Sequence, residues 1–400
     1  MKKIFKILSF TILTPLVLLV AAAIIIPVFF KTDIKKVLDD TLQNYINANV
    51  NYDEESLSIS LFKDFPNAQL SIEDLSIVNQ TPFQGDTFIS IKEFNVSLDI
   101  KSLMTDNMQI NGIYLNEPRV FAKVNKEGTP NWDIVVSDST TLDTVSTSSN
   151  LETKIDHWEI INGHIQYEDK SSNIVAIIQK LNHNGTGIFG EGINLKTNTT
   201  IEKTYTSLDG ITYLNDVLLE ANNNIDIKGN TYTLGENNIK LNDLNLFIKG
   251  NTTLDDDIKM DLELKAEKNT FKSLISLVPT IFLEDYDEIE ANGEFNLSAF
   301  LKGTYTDTQY PAFSFLLDVA NGNLKLPELP KKVSDINFEL RVENKDGILD
   351  NTSINLKNMN LQMGDNFVNG RLFAKGGQSY FIDTDIEANN NIDIKGNTYT

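Results

Sequence analysis

Three histidines, His157, His164 and His183, and one run of carboxylates, Asp255-Asp256-Asp257, are the side chains whose types and spacing could do chemistry. A zinc centre needs three or four convergent ligands. His157 and His164 fall in one hairpin-like stretch, but no His-x-His or His-x-x-Glu spacing accompanies them. The chain has no cysteine to complete a set. These histidines read as surface or strand-edge residues. The three aspartates could draw a divalent cation, since hard cations favour carboxylate oxygen. They sit between two strand signals, Leu246–Gly250 and Ile258–Ala266, and read as a solvated turn. No Gly-x-Ser-x-Gly, P-loop or dinucleotide fingerprint is present. Trp132 and Trp158 are expected as core anchors rather than ligand-stacking rings. The residues point away from an enzyme, and no catalytic group, metal or cofactor is expected.

The elements that would position any site are strands. Leu57, Ile59 and Leu61 alternate with polar residues, as do Leu70 and Ile72, then Leu75 and Ile77, then Phe94, Val96, Leu98 and Ile100. Farther on, Ile258, Met260, Leu262, Leu264 and Ala266 alternate with Lys259, Asp261, Glu263 and Lys265. Ile336, Phe338, Leu340 and Val342 repeat the rule. A period of two with one polar face marks antiparallel strands that meet apolar material on one side only. Asn111-Gly112, Asn162-Gly163, Asn292-Gly293, Asn321-Gly322 and Asp346-Gly347 read as hairpin turns. Ser137–Thr153, rich in Ser, Thr and Asp, reads as a flexible linker loop. Asn269–Asp285 places Phe271, Leu274, Ile275, Val278 and Phe282 at helical spacing, and Pro279 interrupts the run. Two short helices laid over the sheet are predicted there.

At the start of the chain, Ile7–Phe30 carries no charge and is long enough to cross a hydrocarbon core of ~30 Å at ~1.5 Å per residue. Ile7, Leu16, Leu18, Ile24 and Phe30 represent this anchor. Lys2, Lys3 and Lys6 precede it, which puts the N-terminus on the cytoplasmic side and the remainder outside. The alternative is a signal peptide cleaved near Ala21-Ala22-Ala23, although signal cores are usually shorter than this stretch. Lys31–Ala48 follows as an amphipathic helix, with Thr32 as N-cap and Ile34, Val37, Leu38, Leu42, Tyr45 and Ile46 on one face.

Net charge is −22, from 34 basic and 56 acidic residues. The three lysines ahead of the anchor leave 31 basic against 56 acidic residues beyond it, a balance of −25. Such a surface repels phosphate backbones, so no nucleic-acid role is expected. It also repels anionic headgroups, so the body should project from the bilayer rather than lie along it. The segment EANNNIDIKGNTYT occurs twice, at Glu220–Thr233 and Glu387–Thr400. Structural repeats keep pattern while their letters diverge. An identical copy ending with the chain suggests a truncated or misjoined reading frame, the alternative being a young duplication. The organisation expected is 1–30 cytoplasmic tip and anchor, 31–136 helix plus first β block, 137–153 linker, and 154–400 second β block, cut short at its C-terminus.

Several segments together resemble the AsmA family of envelope proteins from Gram-negative bacteria. They are the anchor with its following helix, Leu57-Ser-Ile-Ser-Leu-Phe-Lys-Asp-Phe-Pro-Asn67, Asp86-Thr-Phe-Ile-Ser90, Ile113-Tyr-Leu-Asn-Glu-Pro-Arg-Val120 and Asn125-Lys-Glu-Gly-Thr-Pro-Asn-Trp-Asp-Ile134. Ile161-Asn-Gly-His-Ile-Gln-Tyr-Glu-Asp-Lys-Ser171, and the region from Leu277 through Lys302-Gly-Thr-Tyr305 to Leu329-Pro330, continue the likeness. Order and spacing carry it over most of residues 1–380. The resemblance implies an inner-membrane anchor, a periplasmic body, a role in outer-membrane biogenesis, and kinship with bridge-like proteins that move phospholipid along a β-groove. It implies no catalytic residues.

The fold expected is therefore mainly β: a transmembrane helix, a short amphipathic helix, then a long curled antiparallel sheet with two short helices near 269–285. An apolar face of that length must be covered. The sheet either curls into a trough that meets phospholipid acyl chains or folds on itself as a sandwich, and the resemblance favours the trough. Candidate groove-lining residues are Leu57, Ile59, Leu61, Phe94, Val96, Leu98, Ile258, Met260, Leu262, Leu264, Ile336, Phe338 and Leu340. The competing function is a periplasmic scaffold that acts on outer-membrane assembly proteins and binds no lipid.

Overall fold

In a computed structural model of the chain the described residues are 35, 46–102, 109–135, 155–189, 192–275, 289–306, 309–327, 331–377 and 381–389. The expected anchor with Ile7, Leu16, Leu18, Ile24 and Phe30, the helix after it apart from Lys35, and the 137–153 linker lie outside them. So do the second of the two short helices and most of the second repeat copy. Lys35 is helical. No helix among the described residues is long and apolar enough to cross a membrane.

The chain divides into two compact units, 1–190 with 208–210, and 191–207 with 211–400. In the first, β1 (Ala48–Asn51) and β2 (Ser58–Ser60) both pair with β3 (Asn67–Asn79), which pairs with β4 (Thr87–Asp99). Leu70-Ile72 and Leu75-Ile77, read as separate runs, are one strand in which Asp74 takes a positive φ of 52°. Next come β5 (Ile110–Asn116) and β6 (Arg119–Val124), both pairing with β4; they are separated by Glu117 (φ 50°) and Pro118. Both then pair in parallel with β7 (His157–Asp169), which forms an antiparallel hairpin with β8 (Ile174–Phe189).

That parallel junction corrects the all-antiparallel expectation. Parallel neighbours need a long crossover, and the connection from Asn125 to Asp156 supplies it. The strands on either side of residues 137–153 are direct neighbours within the first unit.

The second unit opens with β9 (Ile193–Leu208), which pairs with β10 (Ile211–Asn215) and β11 (Leu219–Lys228). From β11 the chain runs as an antiparallel meander in which each strand pairs with the next. Its strands are β12 (Thr231–Leu241), β13 (Leu244–Leu254), β14 (Ile258–Thr270), β15 (Glu290–Tyr305) and β16 (Ala312–Lys325). They continue with β17 (Val333–Asn344), β18 (Ser353–Met363), β19 (Asn366–Lys375) and β20 (Phe381–Asn389). A short helix, α1 (Phe271–Ile275), follows β14 directly.

Of the five expected hairpin turns, only Asp346-Gly347 lies in a turn. Asn162-Gly163, Asn292-Gly293 and Asn321-Gly322 sit inside β7, β15 and β16 at shifts of register, and Asn111-Gly112 in β5 faces the shift between Ser97 and Leu98. Asn162 (φ 54°), Gly293 (φ 109°) and Asn321 (φ 53°) have the left-handed backbone that such bulges use. A type I′ turn demands the same conformation, so the dipeptide alone does not choose between turn and bulge. Each bulge bends its strand and raises the local twist, the curvature a long sheet requires.

Candidate functional site: an apolar face of the second unit

Alternation along β14 sends Ile258, Met260, Leu262, Leu264 and Ala266 to one side and Lys259, Asp261, Glu263 and Lys265 to the other. Register carries that division across the meander. The apolar set faces Leu254, Thr252, Gly250 and Ile248 of β13, and Tyr305, Gly303, Leu301, Ala299 and Leu297 of β15. From β15 the face continues to Phe313, Phe315, Leu317 and Val319 of β16, and then to Val342, Leu340, Phe338 and Ile336 of β17. Ile354 and Leu356 of β18, Ala374 and Leu372 of β19, and Ile382 of β20 extend it. In the other direction it reaches Ile239 and Leu241 of β12, Ala221 and Leu219 of β11, and Ile201 of β9. The two candidate sets starting at Ile258 and Ile336 therefore share one face of one ladder. Sequence reading found β14 and β17 but missed the strands between them, although Phe313, Phe315, Leu317 and Val319 alternate in the same way.

The face has two halves. At one strand end Phe271 and Ile275 of α1 close over Leu244, Ala266, Ile289, Ala291, Phe295, Val319 and Ile336, a buried core in which Phe295 is 1% exposed. Leu274 packs against the same cluster, so the predicted helical stripe at Phe271, Leu274 and Ile275 does cover the sheet. Toward the other end, Ile258, Met260, Leu262, Leu264, Leu301, Phe313, Phe315, Leu340 and Val342 are only half-buried and belong to no buried cluster. Leu254, Ile354 and Ile382 are exposed outright.

The first unit differs. Ile59, Leu70, Val96 and Ile113 are successive cross-strand partners, so the sets from Leu57 and Phe94 share a ladder too. Leu57 and Leu98 are buried, and Leu61, Val96 and Leu98 form a core with Ala68 against which Ile59, Leu70 and Phe94 pack. These side chains meet protein.

The opposite, polar face of the second unit is laced by ion pairs. Lys249 and Lys265 lie 3.0 and 2.9 Å from Glu263, and Lys302 lies 2.7 Å from Asp261. Hydrogen bonds from Lys265 and Lys249 hold the Glu263 carboxyl below its ordinary pKa. A cleft of about 480 Å³ opens on this face between Phe247, Lys249, Glu263 and Lys265. Both of its lysines pair with Glu263, and Glu236 and Glu267 also line it.

The three histidines and the aspartate run have separate neighbours. His157 lies against Tyr114 (ring centroids 5.6 Å) and His164 against Phe121 (5.8 Å), both from β7. On β8, His183 Nε2 accepts the Trp158 indole N–H at 3.0 Å. Burial lowers the pKa of His183; burial, and secondarily Arg119, lower that of His164. Among the described residues no three His, Asp or Glu side chains are placed to hold a metal ion. Asp255-Asp256-Asp257 is the exposed β13–β14 turn, where Asp255 accepts from Asn230 at 2.9 Å. Trp158 is half-buried, but Trp132 is 41% exposed with its ring against Tyr167, which corrects the core role expected for it.

A family model described as the AsmA family matches residues 1–382. No curated protein and no solved structure matches the chain.

Proposed function

We propose a function from one established premise: the chain belongs to the AsmA family. On our reading it is a single-pass inner-membrane protein, N-terminus cytoplasmic, whose periplasmic β body shields phospholipid acyl chains in phospholipid transport or outer-membrane biogenesis. It is not an enzyme on this reading, and its work is done by surface chemistry alone. The observation that carries the proposal is the half-buried part of the second unit's apolar face, from Ile258 to Val342, which joins no core.

A two-chain phospholipid exposes about thirty methylenes at roughly 0.8 kcal/mol each, so leaving a bilayer unaided costs on the order of 25 kcal/mol. A continuous apolar strip offsets much of that cost while headgroups remain in water. The strip at Leu262 and Leu301 has the required character, and the salt-bridged reverse face suits water.

The test is mass spectrometry of phospholipid that co-purifies with the full chain. Leu262→Glu places a charge on the half-buried strip away from the α1 core. It should abolish lipid co-purification while leaving the unfolding midpoint within about 1 kcal/mol of the parent. Undiminished bound lipid in that variant counts against the groove. A scaffold for outer-membrane protein assembly is the second reading, supported by the first unit, whose apolar strands close into a core of their own. It requires that neither protein carry lipid.

A further inference from the structure

The half-buried strip of the second unit has a direction. On β13 the apolar face passes from Leu244, 3% exposed, to Leu254, 46% exposed. On β14 it passes from buried Ala266 to half-buried Ile258, and on β15 from Phe295, 1% exposed, to Tyr305, 40% exposed. Register sets these gradients side by side, because Leu254 and Tyr305 are both cross-strand partners of Ile258. The buried ends meet α1, whose Phe271, Leu274 and Ile275 pack on Leu244, Ala266 and Phe295. The exposed ends meet the turn Asp255-Asp256-Asp257, which is itself exposed. Among the described residues, apolar cover is therefore complete at one strand end of this face and lacking at the other.

Depth and headgroup chemistry select how an acyl chain lies there. From Ile258 to Leu264 the strip runs six residue steps, ~20 Å at ~3.4 Å per residue. One leaflet of a bilayer with a ~30 Å hydrocarbon core is ~15 Å deep, so an acyl chain fits within the strip when it runs along the strands. A lipid laid across the ladder sets its charged head over Leu301 and Phe313, where it loses water. A lipid laid along β14 with its head beyond Ile258 carries that head past the exposed turn into water. The reverse order would press the head against Phe271 and Ile275.

We propose that acyl chains lie lengthwise along the strands, heads outward at the Asp255–Asp257 end, with α1 as the floor that limits how deep they reach. The inference rests on the groove of the preceding reading and gives it a direction. Phe271, Leu274 and Ile275 then set the longest chain that the strip accepts, since a longer one leaves methylenes in water.

The test places tryptophan at two depths in the full chain: Met260→Trp toward the open end and Leu264→Trp beside the floor, ~13 Å apart along β14. The native Trp132 and Trp158 give a background measured on the parent. Each protein is loaded with phosphatidylcholine brominated either near the glycerol or near the methyl ends; a zwitterionic head limits repulsion by the aspartates. Bromine near the glycerol should quench position 260 severalfold more than position 264, and bromine near the methyl ends should reverse that order. Thr252→Trp and Ile248→Trp, level with the first pair on β13, repeat the comparison if either variant fails to fold. The same quenching ratio from both probes, or the opposite order, overturns the lengthwise arrangement and leaves the groove reading standing. Quenching by neither probe at any position removes the groove, and this arrangement with it. Ala299→Trp, level with Leu264 on β15, raises the floor and should shorten the mean acyl chain of co-purified phospholipid; an unchanged length overturns the role given to α1.

Discussion

Phe295 and Leu262 lie on neighbouring strands and the same face, yet one is sealed beneath α1 and the other half-open. Phe295→Ala should cost about 3–5 kcal/mol in urea unfolding, because a ring vacates a site that cannot collapse. A cost below about 1 kcal/mol would mean that the α1 core is not the keystone of this unit. The histidines make a separate prediction. Burial depresses the pKa of His183 and His164, so near pH 6.5 the unfolded chain binds protons that the folded chain does not. Their contribution to stability is complete above that pH and is lost as pH falls through the folded pKa values. The urea midpoint should fall between about pH 7.5 and about pH 5.5, and His164→Gln with His183→Gln should flatten the change. An undiminished slope in that double variant would assign the pH dependence elsewhere. Alternation made the two faces legible from residue types. Which half was covered was not legible, since the cover comes from Phe271 and Ile275, beyond the end of β14.

Bulges and glycines give the strands their bends. Gly250 of β13 lies opposite Leu262 with φ 133°, and a Cβ there would stand 2.0 Å from the Asp261 carbonyl oxygen. Gly250→Ala should therefore destabilise the second unit by about 1–3 kcal/mol or more. Amide exchange should quicken along β13 and β14 while β3 and β4 keep their protection, and uniform loss across both units would contradict a local origin. At this scale the sequence was partly readable. Strand runs were visible as period two, but Asn-Gly pairs signalled left-handed backbone without saying whether it closes a turn or kinks a strand. The parallel pairing of β5 and β6 with β7 was hidden as well, because local alternation carries no direction and the long connection that permits it shows no pattern of its own.

Across the whole molecule an acidic composition, an apolar leading segment and a long apolar face occur together. β9 and the ten strands β11–β20 carry that face, so at ~4.8 Å per strand it extends about 50 Å along the second unit's ladder. Family membership was legible from the order of segments between Leu57 and Pro330 rather than from one motif, as expected where work is spread over a surface. The central claim is that acyl chains lie against one side of this ladder, and it is tested most directly by photo-crosslinking in the intact envelope. A benzophenone side chain is placed in turn at Leu262, at Leu340 and, on the reverse face, at Asp261. Phospholipid adducts are expected from the first two positions and none from the third. Equal labelling of both faces, or of neither, would contradict the account.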